Sequence, residues 1–169
     1  MRPHSAASTL VVCLALLGGC RDAVGPDGAW QPSDVRLASG LRLAVEVAPA
    51  EVRAGDSVTV HVRVRNPTDA SIQVTSGCGS LAMLGFRRAD GRESLLAAGF
   101  GCYAVIRQFT LAPNETVTYE HRFAARTFEG TPVAPGRYVA QAFSQLPGDT
   151  RTDVRNEQRP NAEAEFVVR

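Results

Sequence analysis

From Gly40 onward, apolar and polar positions alternate with a period of two. Leu41, Leu43, Val45 and Val47 are separated by Arg42, Ala44 and Glu46, and Val58, Val60, Val62 and Val64 by Thr59, His61 and Arg63. Successive side chains of an extended chain point to opposite faces, so each run predicts a strand with one buried and one wetted side. Weaker runs predict strands over 71–75, 81–88, 93–97, 103–111, 116–123, 138–144 and 162–168. Turn chemistry separates them: Asn66-Pro67-Thr68-Asp69, Ala89-Asp90-Gly91-Arg92, Ala112-Pro113-Asn114-Glu115 and Pro135-Gly136. No segment carries a convincing helical period.

Seven to nine short strands punctuated by turns predict an all-β domain, a single immunoglobulin-like antiparallel β-sandwich, with a small closed barrel as the alternative. Two stretches echo each other, Arg53-Ala54-Gly55-Asp56 before Ser57-Val58 and Ala112-Pro113-Asn114-Glu115 before Thr116-Val117. Each is a polar turn leading into an alternating strand, one local solution used twice. Residues 145–161 form the longest stretch without periodicity and are expected to be a mobile loop.

The chain begins differently. Arg2 precedes an uncharged apolar run over residues 6–17, and Leu17-Gly18-Gly19-Cys20 follows. That run is too short to span a bilayer and reads as an export signal. Its ending resembles the lipobox of bacterial lipoproteins, in which the cysteine is lipidated before cleavage. The resemblance implies a signal peptide over 1–19 and a membrane anchor through lipid on Cys20. Residues 20–39, rich in Gly, Pro, Asp and Ser, then read as a flexible tether, and 40–169 as the folded domain. Arg21 follows the lipidated position where aspartate would retain an enterobacterial lipoprotein in the inner membrane, so the outer membrane is favoured over the inner.

Charge narrows the partners. All 18 basic residues are arginine, Arg2 leaves with the signal, and the remainder balances 17 acidic residues. This balance gives no electrostatic ground for nucleic-acid binding or for strong attraction to an anionic membrane surface. Of the four cysteines, Cys13 lies in the signal and Cys20 takes lipid, leaving Cys78 and Cys102 in an exported chain. A Cys78–Cys102 disulfide is the expected pairing, with two free thiols or a two-cysteine metal site as alternatives. Closing that loop would contribute roughly 3 kcal/mol in the chain-entropy model.

Catalytic chemistry finds little support in the sequence. His61 falls on the wetted face of its strand, whereas His121 shares a face with Val117, Tyr119 and Phe123 and points inward. Neither stands at metal-ligand spacing, no nucleophile elbow occurs, and the acidic residues are scattered, with Asp90 in a hairpin and Asp56 and Glu115 in turns. No catalytic residue, metal ligand or cofactor is therefore assigned. Arg42, Arg63, Arg65 and Arg122 lie on outward positions and could form a cationic face, but Glu46 and Glu120 are interspersed as partners. In Ser76-Gly77-Cys78-Gly79-Ser80 the glycines let the chain turn while Cys78 reaches Cys102. The opposing stretch, Ala97-Ala98-Gly99-Phe100-Gly101-Cys102-Tyr103, holds two aromatics in a glycine-rich loop. Phe100 and Tyr103 are the candidate partner contacts, the alternative being that they cap the core.

Several pieces in order resemble the BsuPI-type intracellular proteinase inhibitor family. They are the valine strand ending Asn66-Pro67-Thr68, Phe86 leading to Ala89-Asp90-Gly91-Arg92-Glu93, Gln108-Phe109-Thr110-Leu111-Ala112-Pro113-Asn114-Glu115-Thr116, and Pro135-Gly136-Arg137-Tyr138. The resemblance covers residues 41–143 and implies a β-sandwich that inhibits a serine proteinase. The chain departs from the pattern in its export signal, its cysteine pair and the absence of a tryptophan after the Asp-Gly hairpin. The expectation is a non-enzymatic, lipid-anchored protein-binding module of the cell envelope that inhibits a proteinase. The rival is a structural or adhesive module that binds another envelope protein or a glycan.

Overall fold

The computed structural model describes residues 34–90, 105–127, 129–149 and 161–169. Among them the chain forms ten strands and no helix: β1 (Asp34–Arg36), β2 (Arg42–Ala48), β3 (Glu51–Val52), β4 (Ser57–Arg65), β5 (Ile72–Ser76), β6 (Ala82–Arg88), β7 (Arg107–Leu111), β8 (Thr116–Ala124), β9 (Gly136–Ser144) and β10 (Asn161–Val168). One four-stranded sheet has the order β1-β2-β4-β8, a second β3-β10-β9-β6, and β5 pairs with β7 in a separate ribbon. Neighbours are antiparallel except β3, which runs parallel to β10. Both four-stranded sheets are open, so the barrel alternative fails and the fold is all-β and sandwich-like.

The alternation read from the sequence decides which side of each strand is dry. On β4, Val58, Val60, Val62 and Val64 are buried, and the intervening Thr59, His61, Arg63 and Arg65 face out. Cross-strand pairing extends this face, with Val64 opposite Leu43, Val62 opposite Val45 and Val60 opposite Val47. The other sheet answers with small residues, Ala140 and Ala142 on β9 and Ala162 and Ala164 on β10. Aromatic bulk collects toward one end, where Phe86 meets Phe123 edge-on at 5.1 Å and Phe166 at 6.2 Å. Tyr138 stacks on Phe166 at 5.7 Å, and its hydroxyl donates to the Ala134 carbonyl at 2.8 Å.

Backbone contacts define the two ends of the molecule. At the Pro49 end the chain leaves β2 through the cis Ala48–Pro49 bond and enters β3, which joins the opposite sheet. There Ala54 N–H donates to Arg169 O at 2.9 Å and Gly55 N–H to Ala125 O at 3.1 Å. At the other, Asn66 end, the segments after β1, β4 and β9 converge. Ala38 N–H donates to Asp149 Oδ1 at 2.8 Å, and Ser144 Oγ donates to Asp149 Oδ2 at 2.7 Å. Asp149 is thus a buried pin within a stretch expected to be mobile, while residues 150–160 lie outside those described.

Two strands were not anticipated. Pairing of β1 with β2, with Leu37 buried behind it, carries the folded domain into the stretch read as tether. β3 is two residues long and owes its place to β10, so no local pattern announces it. The expected strand at 93–97 and the Gly91 side of its hairpin lie outside the described residues. The two echoing turns do share a conformation. Asp56 N–H donates to Arg53 O at 3.0 Å and Glu115 N–H to Ala112 O at 3.1 Å, with Gly55 at φ 91° and Asn114 at φ 60° in the equivalent positions. Glycine and asparagine are the residues that tolerate this left-handed backbone.

Asn66 locks the far end. Its side chain is fully buried; Nδ2 donates to the carbonyls of Ala70 (2.7 Å), Leu111 (3.1 Å) and Ala112 (3.0 Å). Its Oδ1 accepts from Thr68 N–H at 3.0 Å and from Thr68 Oγ1 at 2.7 Å. One amide therefore ties the end of β4 to the approach to β5 and the exit of β7. Asn66→Ala would leave those buried partners unsatisfied, and a loss of about 3 kcal/mol is expected. Thermal unfolding of the full chain followed by circular dichroism should show Tm lower by about 10 °C. Asn66→Asp, which keeps the acceptor and loses the donors, should also destabilise.

Candidate functional site

The outward face of the β1-β2-β4-β8 sheet carries the arginines singled out in the sequence. Register aligns Arg42 with Arg65, Ala44 with Arg63, and Glu46 with His61. Arg42 Nη1 lies 2.8 Å from Asp34 Oδ2, Arg63 Nη2 lies 2.8 Å from Glu46 Oε2, and Arg65 donates to Asn114 Oδ1 at 3.4 Å. His61 Nδ1 stands 3.9 Å from Glu120 Oε2. Positive and negative groups are interleaved, as expected of a solvated face whose exposed pairs contribute little each. Arg122, also on an outward position, lines a cleft at the Pro49 end.

That open cleft has a volume of about 810 Å³ and is lined by Glu51, Arg53, Asp56, Ser57, Arg122 and Arg169 together with Pro49, Val52 and Gly55. Arg169 Nη2 holds Glu51 Oε2 at 2.6 Å. Residues 53, 122 and 169 are far apart in sequence, and only the meeting of β3, β4, β8 and β10 brings them together. No local signal could have found this grouping.

At the Asn66 end, Ser76 is buried and organises the loop that follows. Its Oγ donates to Ser80 O and accepts from Cys78 N–H at 3.2 Å, and Gly79 turns the chain at φ 72°. Cys78 is disulfide-bonded, its Sγ lies 3.1 Å from Gln145 Oε1, and its backbone bridges to Val105. Cys102, Phe100, Tyr103 and Cys20 lie outside the described residues. The residues that continue from that segment are described. Val105 is 55 % exposed and Ile106 80 % exposed, the two large apolar side chains left in water among the described residues. The Arg107 guanidinium caps the Phe109 ring at 5.2 Å just beyond them. The sequence placed Val105 and Ile106 inside a strand; they stand ahead of β7 because its pairing with β5 begins at Arg107 opposite Ser76.

His121 shares the inner side of β8 with Val117, Tyr119 and Phe123, all half-buried, as the alternation predicted. It lies 6.1 Å from the Phe123 ring, and Tyr119 on the same side accepts a hydrogen bond from Leu81 N–H at 3.2 Å. Desolvation among these apolar neighbours lowers its pKa below the ordinary 6.5 and favours the neutral ring. Among the described residues no three His, Cys, Asp or Glu side chains are grouped to hold a metal ion.

No family model and no curated protein matches the chain. Among solved structures it is similar to an alkylpurine DNA glycosylase from Pseudomonas fluorescens, AlkC, at 16 % identity over 73 % of this chain and 28 % of that one, with TM-score 0.40. A β-glucosidase from Erythrobacter marinus matches at 17 % identity over 74 % of this chain and 15 % of that one, with TM-score 0.41. A β-glucosidase from Listeria innocua in complex with glucose matches at 13 % identity over 78 % and 16 %, with TM-score 0.42. The chain spans less than a third of each of these proteins, and likeness at this level carries no functional argument.

The His121 environment gives a pH test. The unfolded chain binds a proton at the ordinary histidine pKa, whereas the folded chain resists it to lower pH. Stability should therefore fall as pH drops below about 6.5 and level off once the folded-state histidine also titrates. Urea unfolding of the full chain at about pH 7.5 and about pH 5 should show this fall, and it should be smaller in His121→Gln.

Proposed function

We propose that this chain is a lipid-anchored, non-catalytic protein-binding module of the bacterial cell envelope, built on an immunoglobulin-like β-sandwich and acting through its Asn66 end. In its most specific form it inhibits an envelope serine proteinase. The observation that carries the reading is the exposure of Val105 and Ile106 beside the disulfide-bonded Cys78. Covering one such aliphatic side chain is worth about 2 kcal/mol, and a braced loop loses little entropy on docking. Cys102 is the proposed partner of Cys78, which would fix Phe100 and Tyr103 beside the same apolar pair.

The immunoglobulin-like part of the reading is supported by strand order. The first long strand contributes to one sheet and its short continuation, β3, runs parallel to the last strand of the other. A tyrosine near the start of the strand that follows the sheet-to-sheet corner, with its hydroxyl bonded to backbone four residues upstream, is a further feature of that fold. Lipid on Cys20 would hold the module at the outer membrane.

Two measurements test the proposal. Labelling of cells with an alkynyl fatty acid should tag the wild-type chain and not Cys20→Ala. A photo-crosslinking amino acid at position 106 of the full chain should capture a defined envelope protein, whereas the same group at position 129, at the Pro49 end, should not. If the captured protein is a proteinase, the chain should inhibit it, and Ile106→Asp should weaken inhibition by at least about tenfold. Equal capture from both positions, or inhibition indifferent to both Ile106→Asp and Phe100→Ala, would remove this end of the molecule from the contact.

A further inference from the structure

We infer that the cleft at the Pro49 end is a site for phosphate groups, and that in the anchored chain it takes phosphates of the lipid headgroups. The second half rests on the lipid-anchored reading above; the first does not. Among the described residues, Arg42, Arg63, Arg87, Arg88 and Arg137 each hold a carboxylate. Arg53 and Arg122 make no side-chain hydrogen bond or ion pair with any described residue, yet both line one cleft of about 810 Å³. Of the two acidic residues lining it, Glu51 is held by Arg169 at 2.6 Å, which leaves Asp56 against two guanidinium groups.

The backbone brings a further cation close. A Cβ placed on Gly55 would lie 3.1 Å from Arg126 Nη2, so glycine lets the Arg126 guanidinium rest against the turn that carries Arg53. Arg126 Nη1 donates to Gly130 O at 2.9 Å, which holds the side chain there. Guanidinium groups present a planar fork of N–H donors that matches phosphate oxygens, and an open cleft admits a headgroup without closing over it.

Chain direction supplies the orientation. β1 runs antiparallel to β2 with Asp34 opposite Ala44 and Arg36 opposite Arg42, so the polypeptide enters β1 from the Pro49 end. Cys20 precedes Asp34 by fourteen residues. A short tether entering from this side brings the arginine cleft toward the membrane and leaves Val105 and Ile106 at the far end. The field of an anionic surface decays over about 8–10 Å, so contact at the cleft, not general charge, would set the orientation.

Phenylglyoxal, which modifies free guanidinium groups, reads this site residue by residue when followed by peptide mass spectrometry. The lipidated full chain would be studied in detergent with and without inorganic pyrophosphate, and in vesicles of phosphatidylcholine with and without phosphatidylglycerol. Modification of Arg53 and Arg122 should slow about fivefold with pyrophosphate and in vesicles bearing phosphatidylglycerol, with Arg65 at the opposite end unchanged; that factor corresponds to about 1 kcal/mol per arginine at an anionic surface. Arg53→Gln combined with Arg122→Gln should abolish the heat of pyrophosphate binding in calorimetry, while leaving Tm unchanged.

Protection by pyrophosphate without protection in vesicles would support the phosphate site and overturn the membrane as its source. Equal protection in both kinds of vesicle would be simple shielding and would also overturn headgroup recognition. No protection by pyrophosphate or by phosphatidylglycerol would overturn the whole inference. Failure of the chain to float with vesicles would instead defeat the lipid anchor, and the pyrophosphate arm would still decide the site.

Discussion

Everything in this fold depends on β4 occupying a single register. Its four buried valines pair with β2 on one side and β8 on the other, and its outward residues are His61, two arginines and a threonine. A slip of one residue would bury both arginines and expose every valine, at about 1.5–3 kcal/mol for each apolar side chain alone. Fixing β4 fixes its neighbours, because each of their inner residues must meet a valine. The second sheet adjusts to this ridge with alanines on β9 and β10, and places its bulk, Phe86, Tyr138 and Phe166, toward the Pro49 end.

With the middle of the sandwich so fixed, the ends are free to differ. The Asn66 end is held by polar side chains that satisfy backbone groups: Asn66 over the turns, Asp149 over Ala38 and Ser144, Ser76 over the Cys78 loop. Buried polar groups of this kind cost stability when broken, so they hold loops in one arrangement. That rigidity is what an exposed pair such as Val105 and Ile106 requires to act as a contact. The Pro49 end is held by backbone hydrogen bonds between turns and strand ends, which leaves the Arg53 and Arg122 side chains available.

The sequence made some parts legible and hid others, for identifiable reasons. Alternation marked β2 and β4, each with one dry and one wet face, and β8, whose inner side is half-buried; the same rule put His121 on that side beside Tyr119 and Phe123. It failed for β1 and β3, which are three and two residues long and exist because a partner strand is already in place. Asn66 read as an ordinary turn residue beside Pro67; nothing local reveals that its amide reaches Leu111 and Ala112, 45 and 46 residues away. The arginine cleft was invisible for the same reason, since its members come from four strands or turns that only folding assembles. Val105 and Ile106 were hidden by the reverse error: an apolar run implies burial, but pairing with β5 begins only at Arg107, after both of them.

The wetted faces then argue about where binding can occur. On β6, β9 and β10 the outward positions are closed by pairs such as Arg87 with Glu163 and Arg137 with Glu165, and Val139 between them is buried even though it faces away from the core. On β2, β4 and β8, Glu46 occupies Arg63. A surface whose charges already satisfy one another offers a partner little, because any new ion pair must first break an existing one. The sheet faces are therefore poor docking surfaces, and the chemistry left open is concentrated at the two ends. Apolar side chains stand unsheltered at one, and Arg53 and Arg122 line one cleft at the other. A module with such opposed ends can be turned by one of them and recognised by the other.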